Sequence, residues 1–243
     1  MGDLTLIDDQ DNYVTMSNKA ARGAQGLSLR EKRLVALAIS KNNSLIPPMG
    51  IGYNQRRIKI TVSEYAREYA IDRKIAYRDI KEAGNNLFER YLKYEIMTPK
   101  GLRERKFRWV QDIEYHHGEG WISFQFTEAI SAHLYDLHER FTSYKLKQAV
   151  ALRSIYAWRL LELLMSWHSK DNSDKGDFTI DLTDFRKAME VPSKYKFHDI
   201  RVRCIEPAIR ELKQKDGIIT DYITIKKGRA VNKIHLTWCR KIS

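Results

Sequence analysis

Residues 193–215, SKYKFHDIRVRCIEPAIRELKQK, and residues 216–238, DGIITDYITIKKGRAVNKIHLTW, decide how this chain is read. In the first run Phe197, Ile200 and Cys204 recur three and four positions apart, which predicts a helix with one buried stripe. Ser193, just after Pro192, is placed to cap it. Pro207 lacks a backbone donor, so the helix is expected to kink or restart there, leaving Lys194 to Ile205 as its leading part. The second run alternates apolar and polar residues on both sides of Lys226-Lys227-Gly228-Arg229, the pattern of a hairpin with a charged tip. From Lys194 to the C-terminus thirteen Lys and Arg face five Asp and Glu, so this last fifth carries +8 of the formal +12.

Shifting the chain by 120 positions reveals an internal repeat. Ile58, Ile60, Val62, Ser63, Glu64, Tyr65 and Ile71 fall on Phe178, Ile180, Leu182, Thr183, Asp184, Phe185 and Val191. Lys74, Tyr77, Asp79, Ile80 and Leu92 fall on Lys194, Phe197, Asp199, Ile200 and Leu212. Upstream, Lys32-Arg33-Leu34 resembles Trp158-Arg159-Leu160 at a slightly different offset. One unit of helix, strand, helix, helix and hairpin therefore occurs twice, as repeated architectures require. That order is a winged helix, whose third helix enters the major groove of DNA. The fold class expected is α+β, two tandem winged-helix domains, with boundaries at 13–137 and 138–243.

Outside the repeated parts, Ser28 and Glu31 form a capping box for a first helix ending near Asn42-Asn43, followed by a loop rich in Pro47, Pro48, Gly50 and Gly52. A strand is expected over Arg57–Thr61, a helix opened by Ser63 and Glu64, and a longer helix capped by Asp72 from Arg73 to Tyr91. Strands follow at Tyr94–Thr98, Lys106–Tyr115 and Trp121–Phe126, with turns at 99–101 and 116–120. A short helix over Glu128–Leu137 and a long one over Lys147–Trp167 fill the middle, before a polar turn at 171–176.

Candidate DNA contacts follow from this layout. On the second unit's third helix Lys194, His198 and Arg201 share a stripe, with Tyr195 and Val202 beyond it and Arg203 on the other flank, offering guanidinium forks to guanine edges. Lys226, Lys227, Arg229, Asn232 and Lys233 at the hairpin suit phosphate or minor-groove contact. The first unit offers Arg73, Lys74, Arg78 and Lys81 on its helix, and Arg105 and Lys106 with Lys100, Arg103 and Arg108 on its hairpin. There Asp79, Glu82 and Glu89 dilute the charge, so weaker, phosphate-directed binding is expected.

A pI near 9.6 with focused charge favours a polyanionic partner, and nucleic acid over membrane, since the basic helices carry no bulky apolar face. No run approaches the ~20 apolar residues of a membrane span. The start, MGDLTLIDDQDNYV, lacks a basic segment and an apolar segment of the secretory kind. Cys204 and Cys239 are too few and too isolated for a disulfide scaffold or a zinc site, and are expected as reduced core residues. A Gly-x4-Gly-Lys-Ser/Thr loop is absent from the sequence, and adjacent His116-His117 point to opposite faces of an extended segment. Neither an enzymatic activity nor a metal or other cofactor is expected.

The residues together resemble the plasmid replication initiator (Rep) family of the RepE, RepA and pi type, built from two winged-helix domains. The resemblance spans residues 13 to 238. It rests on Ser17-Asn18, Leu27-Ser28-x-x-Glu31-x-Arg33-Leu34, Arg140-Phe141-Thr142-x-Tyr144, Tyr156-Ala157-x-Arg159-Leu160-x-Glu162-Leu163, Phe197 to Leu212, and Lys226-Lys227-Gly228-Arg229. Gln25-Gly26 departs from relatives that carry a bulky residue before Leu27. The resemblance implies monomers bound to directly repeated double-stranded origin sites, iterons, with the second domain making most base contacts. It implies that the first domain adds contacts to the adjacent groove and forms a homodimer that represses its own promoter at an inverted repeat. It further implies recruitment of host DnaA and the replicative helicase in a bacterial cytoplasm. Lys196, Arg201 and Arg203 fall where the family's basic recognition residues lie, and Arg33 and Arg159 where it has structural ones. A dedicated repressor and a rolling-circle nickase are the alternatives.

Overall fold

The computed structural model describes residues 12–41, 57–135, 137, 141–167 and 175–240. The expected helix end at Asn42-Asn43, the Pro/Gly loop after it and most of the turn at 171–176 lie outside these residues. The chain opens with β1 (Tyr13–Ser17) and α1 (Asn18–Arg22), then α2 (Leu29–Lys41). The Ser28 and Glu31 capping box is present: the Ser28 amide donates to Glu31 at 2.8 Å and the Glu31 amide to Ser28 Oγ at 3.4 Å. Such reciprocal bonds satisfy two donors that a helix start leaves free.

The repeat is visible in the backbone. β2 (Arg57–Thr61) and α3 (Val62–Glu68) stand 120 positions before β8 (Lys175–Asp181, its last five residues) and α8 (Leu182–Ala188). Thr61, not Ser63, caps α3, in a box with Glu64. Both helices end in the same turn. The Ile71 amide donates to Ala66 and the Ala70 amide to Arg67, just as Val191 does to Arg186 and Glu190 to Lys187. Ala70 and Glu190 both take left-handed backbone, at φ 46° and 51°, which closes a helix by satisfying its last carbonyls.

Each unit then adds a helix. In the first, α4 (Arg73–Leu87) starts at Asp72, whose carboxylate accepts from the Lys74 amide at 2.7 Å. In the second, α9 (Phe197–Ile200), a π turn (Arg201–Ile205) and α10 (Glu206–Lys215) run as one rod. This rod is longer than α4, so the sequence match of Leu92 with Leu212 pairs a strand residue with a helix residue.

Between α4 and the middle of the chain lie β3 (Tyr91–Thr98), β4 (Gly101–Arg108), β5 (Val110–His116) and β6 (Trp121–Phe126). The single strand expected over Lys106–Tyr115 is thus two, broken at Trp109. That residue is fully buried, and its indole donates to the Gln25 carbonyl at 2.8 Å. β4 pairs with β3, whereas β5 pairs with β6 in a three-stranded sheet ordered β2-β6-β5. The second unit's β9 (Ile218–Lys227) and β10 (Ala230–Arg240) form the matching sheet, ordered β8-β10-β9. The first wing is therefore β5–β6. The β3–β4 ribbon, which carries Arg105 and Lys106, has no counterpart among the described residues of the second unit, correcting its reading as the first unit's hairpin.

The middle of the chain holds α5 (Glu128–Leu134), β7 (Phe141–Lys145), α6 (Leu146–Val150) and α7 (Ile155–Ser166). β7 pairs antiparallel with β1, from Tyr13↔Lys145 to Ser17↔Phe141. The long helix expected over Lys147–Trp167 is interrupted at 151–154: Ser154 accepts from the Tyr156 amide and starts α7 anew. Arg33 donates to the Leu152 carbonyl in that gap at 2.9 Å. One apolar core runs through both units, including Leu34, Tyr65, Ile80, Trp158, Leu161, Phe185, Ile200 and Leu236. Cys204 belongs to it, but Cys239 is exposed, because it lies on the outward face of β10. No described helix is long and apolar enough to cross a membrane.

The two units are joined around α7. Glu162 is fully buried; Oε1 accepts from Tyr144 at 3.0 Å and from Lys32, and Oε2 from Arg159 at 2.9 Å and Gln25 at 3.1 Å. Arg159 also donates to the carbonyls of Ala188 at 2.7 Å and Gly23 at 2.6 Å. Burial pushes the Glu162 carboxyl up, but Lys32 and Arg159 more than reverse this and hold it below the usual carboxylate range. Burial conversely draws the Lys32 ammonium below the usual lysine range, despite Glu162 beside it. Gln25 is wholly buried, its amide completing this cluster.

Candidate nucleic-acid interface

The second unit presents its cations from a turn, a rod and a hairpin. Ser193 does not cap the helix; residues 192–196 form a lead-in turn, with the Tyr195 amide on the Pro192 carbonyl at 3.0 Å. The cause is the residue at 192. Asp72, its counterpart, caps α4 at once, whereas Pro192 has no side-chain acceptor to do so. Arg186 holds the turn by donating to the carbonyls of Tyr195 at 2.8 Å, Pro192 at 3.1 Å and Ser193 at 2.9 Å. Asp199 then accepts from the Lys196 amide at 3.1 Å and helix begins. Sequence reasoning missed Arg186, since the repeat aligns it with Ala66 and hides its role.

The helix runs on through Pro207 without the expected restart, accommodated by a widened turn. Pro207 cannot donate to Arg203, and the Glu206 amide reaches back five residues to the Arg201 carbonyl. Ile200, Cys204 and Ile205 are buried, while Lys194, Lys196, His198, Arg201, Val202 and Arg203 are exposed. Arg201 lies 3.5 Å from Glu206, and Arg203 lies 3.6 Å from Asp199 with its guanidinium over the Tyr195 ring. Long, solvent-exposed pairs of this kind are weak, so an incoming polyanion displaces them at little cost.

At the wing, Gly228 takes φ +63°, which lets the two-residue tip Gly228–Arg229 close between Lys227 and its partner Ala230. Lys226, Lys227, Arg229 and Asn232 are exposed. The register shifts between Val231 and Lys233, which turns Asn232 out of the ladder, and Lys233 lies 3.6 Å from Asp181.

In the first unit Arg73, Lys74, Arg78 and Lys81 are exposed along α4. The acidic residues expected to dilute this face are largely occupied: Arg30 pairs with buried Asp79 at 2.9 Å and with Glu82, and Arg108 takes Glu89 at 3.0 Å. The wing tip, by contrast, has no Lys or Arg. His116 stacks on Trp121, whose indole donates to Glu119 at 2.6 Å, while His117 packs on Tyr115. The two histidines diverge, and among the described residues no group of three metal-ligating side chains forms. Arg105 and Lys106 stand on the β3–β4 ribbon, over Phe107 and Tyr91 respectively.

Two family models match this arrangement: "Initiator Replication protein, WH1" over residues 13–165 and "Initiator Rep protein, WH2" over residues 181–238. The chain is a two-domain winged-helix protein and belongs to the initiator replication protein family. Its structure is similar to that of the Pi initiator protein in complex with iteron DNA, with a TM-score of 0.80, 21% identity, and 97% of this chain and 100% of that chain covered. A weaker similarity, TM-score 0.35 and 25% identity over 44% of this chain and 76% of the other, links it to the WH1 domain of a replication protein isolated from a multiple sclerosis patient. In sequence it is 22% identical to an uncharacterized 27.6 kDa protein of Escherichia coli, over 89% of this chain and 91% of that one.

Proposed function

We propose that this chain initiates replication of a plasmid by binding directly repeated double-stranded sites in the origin as a monomer. The observation that carries the reading is the gathering of exposed cations on the two parts of a winged helix that meet DNA, the third helix and the wing, in a member of the initiator family. Arg201, Arg203, Lys194, Lys196 and His198 read bases or orient the helix in the major groove. Lys226, Lys227, Arg229, Asn232 and Lys233 hold phosphates or the minor groove. Arg73, Lys74, Arg78 and Lys81 engage the backbone on the neighbouring stretch, so that residues 13–137 and 138–243 act as two readers on one duplex. A homodimer represses the chain's own promoter at an inverted repeat, and the monomer recruits host DnaA and the replicative helicase in the bacterial cytoplasm.

Footprinting of the purified protein on DNA flanking its gene tests the proposal. Protection of an array of direct repeats supports initiation, and protection confined to a lone inverted repeat leaves a dedicated repressor. Incubation with supercoiled DNA and Mg²⁺ or Mn²⁺ tests the nickase alternative, since a covalent tyrosyl-DNA adduct overturns a purely binding role.

A further inference from the structure

Among the residues of the rod, Phe197–Lys215, Val202 is the one large apolar side chain that stands exposed, at 43%. It belongs neither to the core nor to the partly buried residues packed against it. Solitary exposed valines are ordinary on protein surfaces; the position of this one is what points to a use. The turn over Arg201–Ile205 has more residues per turn than an α-helix, so Arg201, Val202 and Arg203 clear the core in succession while Cys204 and Ile205 stay buried. Val202 thus stands between the two arginines assigned above to the major groove.

Charge and shape both suit a base edge there. The two acids beside Val202 are engaged, Glu206 with Arg201 at 3.5 Å and Asp199 with Arg203 at 3.6 Å, so neither turns an uncompensated charge toward DNA. A β-branched side chain is stiff about its first torsion, so its two methyls hold a fixed place at small entropic cost. The repeat supplies a contrast. A shift of 120 places Val202 on Glu82 of α4, whose carboxylate is held by Arg30. The same position is therefore apolar in the unit with the cationic wing and anionic in the other. In the major groove the apolar mark on a base pair is the C5 methyl of thymine. Resting on the DNA-binding reading above, we propose that Val202 reads a thymine. Its methyls pack on the C5 methyl of a thymine next to the base taken by Arg201 or Arg203, which discriminates that base from cytosine.

The experiment measures binding of the full-length protein to the repeat it protects in footprinting, with each thymine replaced in turn by deoxyuridine, which lacks only the methyl. Wild type is expected to weaken about three- to fivefold at one thymine, the size of one buried methyl. V202A is expected to bind the parent repeat more weakly by the same factor and to show no difference between thymine and deoxyuridine there. V202T, with the shape of valine and one of its methyls, is expected to keep part of the difference, and it serves the comparison if V202A binds too weakly to titrate. A wild type indifferent to deoxyuridine at every position overturns the proposal. So does a V202A protein that keeps the wild-type difference at every position; an equal loss on repeat and scrambled duplex would then give Val202 a structural role. A wild type that retains no duplex at all overturns the DNA-binding reading itself.

Discussion

Arg201 and Lys227 illustrate two kinds of cation on one surface. Arg201 sits on the rod's exposed face with a fork-shaped donor set; Lys227 is a point charge at a hairpin tip. Arg201→Ala is expected to cost about 1 to 3 kcal/mol at a cognate site and to relax sequence choice, whereas Lys227→Ala weakens cognate and scrambled duplexes alike and lowers the salt slope by about one. Competition binding across a salt series measures both, and unchanged discrimination in Arg201→Ala removes it from base reading. Asp216 offers a pH test of the body. Burial raises its carboxyl to about 6, even though Arg240 at 3.4 Å and Gln148 favour the charged form. A carboxyl raised on folding favours the protonated native state, so this contribution is present below about pH 4 and is lost as pH rises through 6. Asp216→Asn should therefore gain over wild type by about 1 to 2 kcal/mol between pH 4 and 7, after allowance for solvent screening, in paired urea titrations. The exposed basic residues were legible in the sequence because charge and helical period are local. Arg186 was not, because its partners are backbone carbonyls of a turn that only forms when Pro192 withholds a cap.

The elements show how one backbone solution serves two purposes. The turns after α3 and α8 place Ala70 and Glu190 in the same left-handed conformation. A side chain there costs about 1 to 2 kcal/mol, part of which glycine returns in the entropy of the unfolded chain. Ala70→Gly is thus expected to stabilise by about 0.5 to 1 kcal/mol. Glu190→Gly relieves the same strain but removes the carboxylate that accepts from the Gln25 amide at 3.1 Å and the Gly26 amide at 2.7 Å. A net loss of about 1 to 3 kcal/mol is expected, since bonds to a charged group are strong and their donors are left unpaired. Thermal unfolding of the two variants side by side checks the opposite signs. The helix–strand–helix part of each unit was readable from the 120-residue shift. The hairpins of the first unit were not, because alternation along residues 91–126 marks strands without saying which strand pairs with which. Trp109 makes the choice, taking its burial under the Gln25 carbonyl and splitting one expected strand into two.

Across the whole molecule, the buried charges of Lys32, Arg159 and Glu162 lock the units together through side chains up to 130 positions apart in sequence. Glu162→Gln keeps the shape but leaves Lys32 and Arg159 uncompensated, at an expected cost of about 3 to 5 kcal/mol in chemical denaturation. Loss of a single cooperative transition, with the units unfolding separately, would mark this cluster as what couples them. The sequence by itself determined that two winged-helix units are present, where the helices capped by Ser28 and Asp72 begin, and that positive charge collects on the last helix and hairpin. Those properties follow from side-chain period, capping and composition, which act over a few residues. Only the tertiary structure decided which hairpin is the first wing, that a separate ribbon stands beside it, and that Gln25 belongs to a buried ionic cluster. Strand pairing and burial of charge depend on partners brought together from distant positions, and no local pattern encodes them.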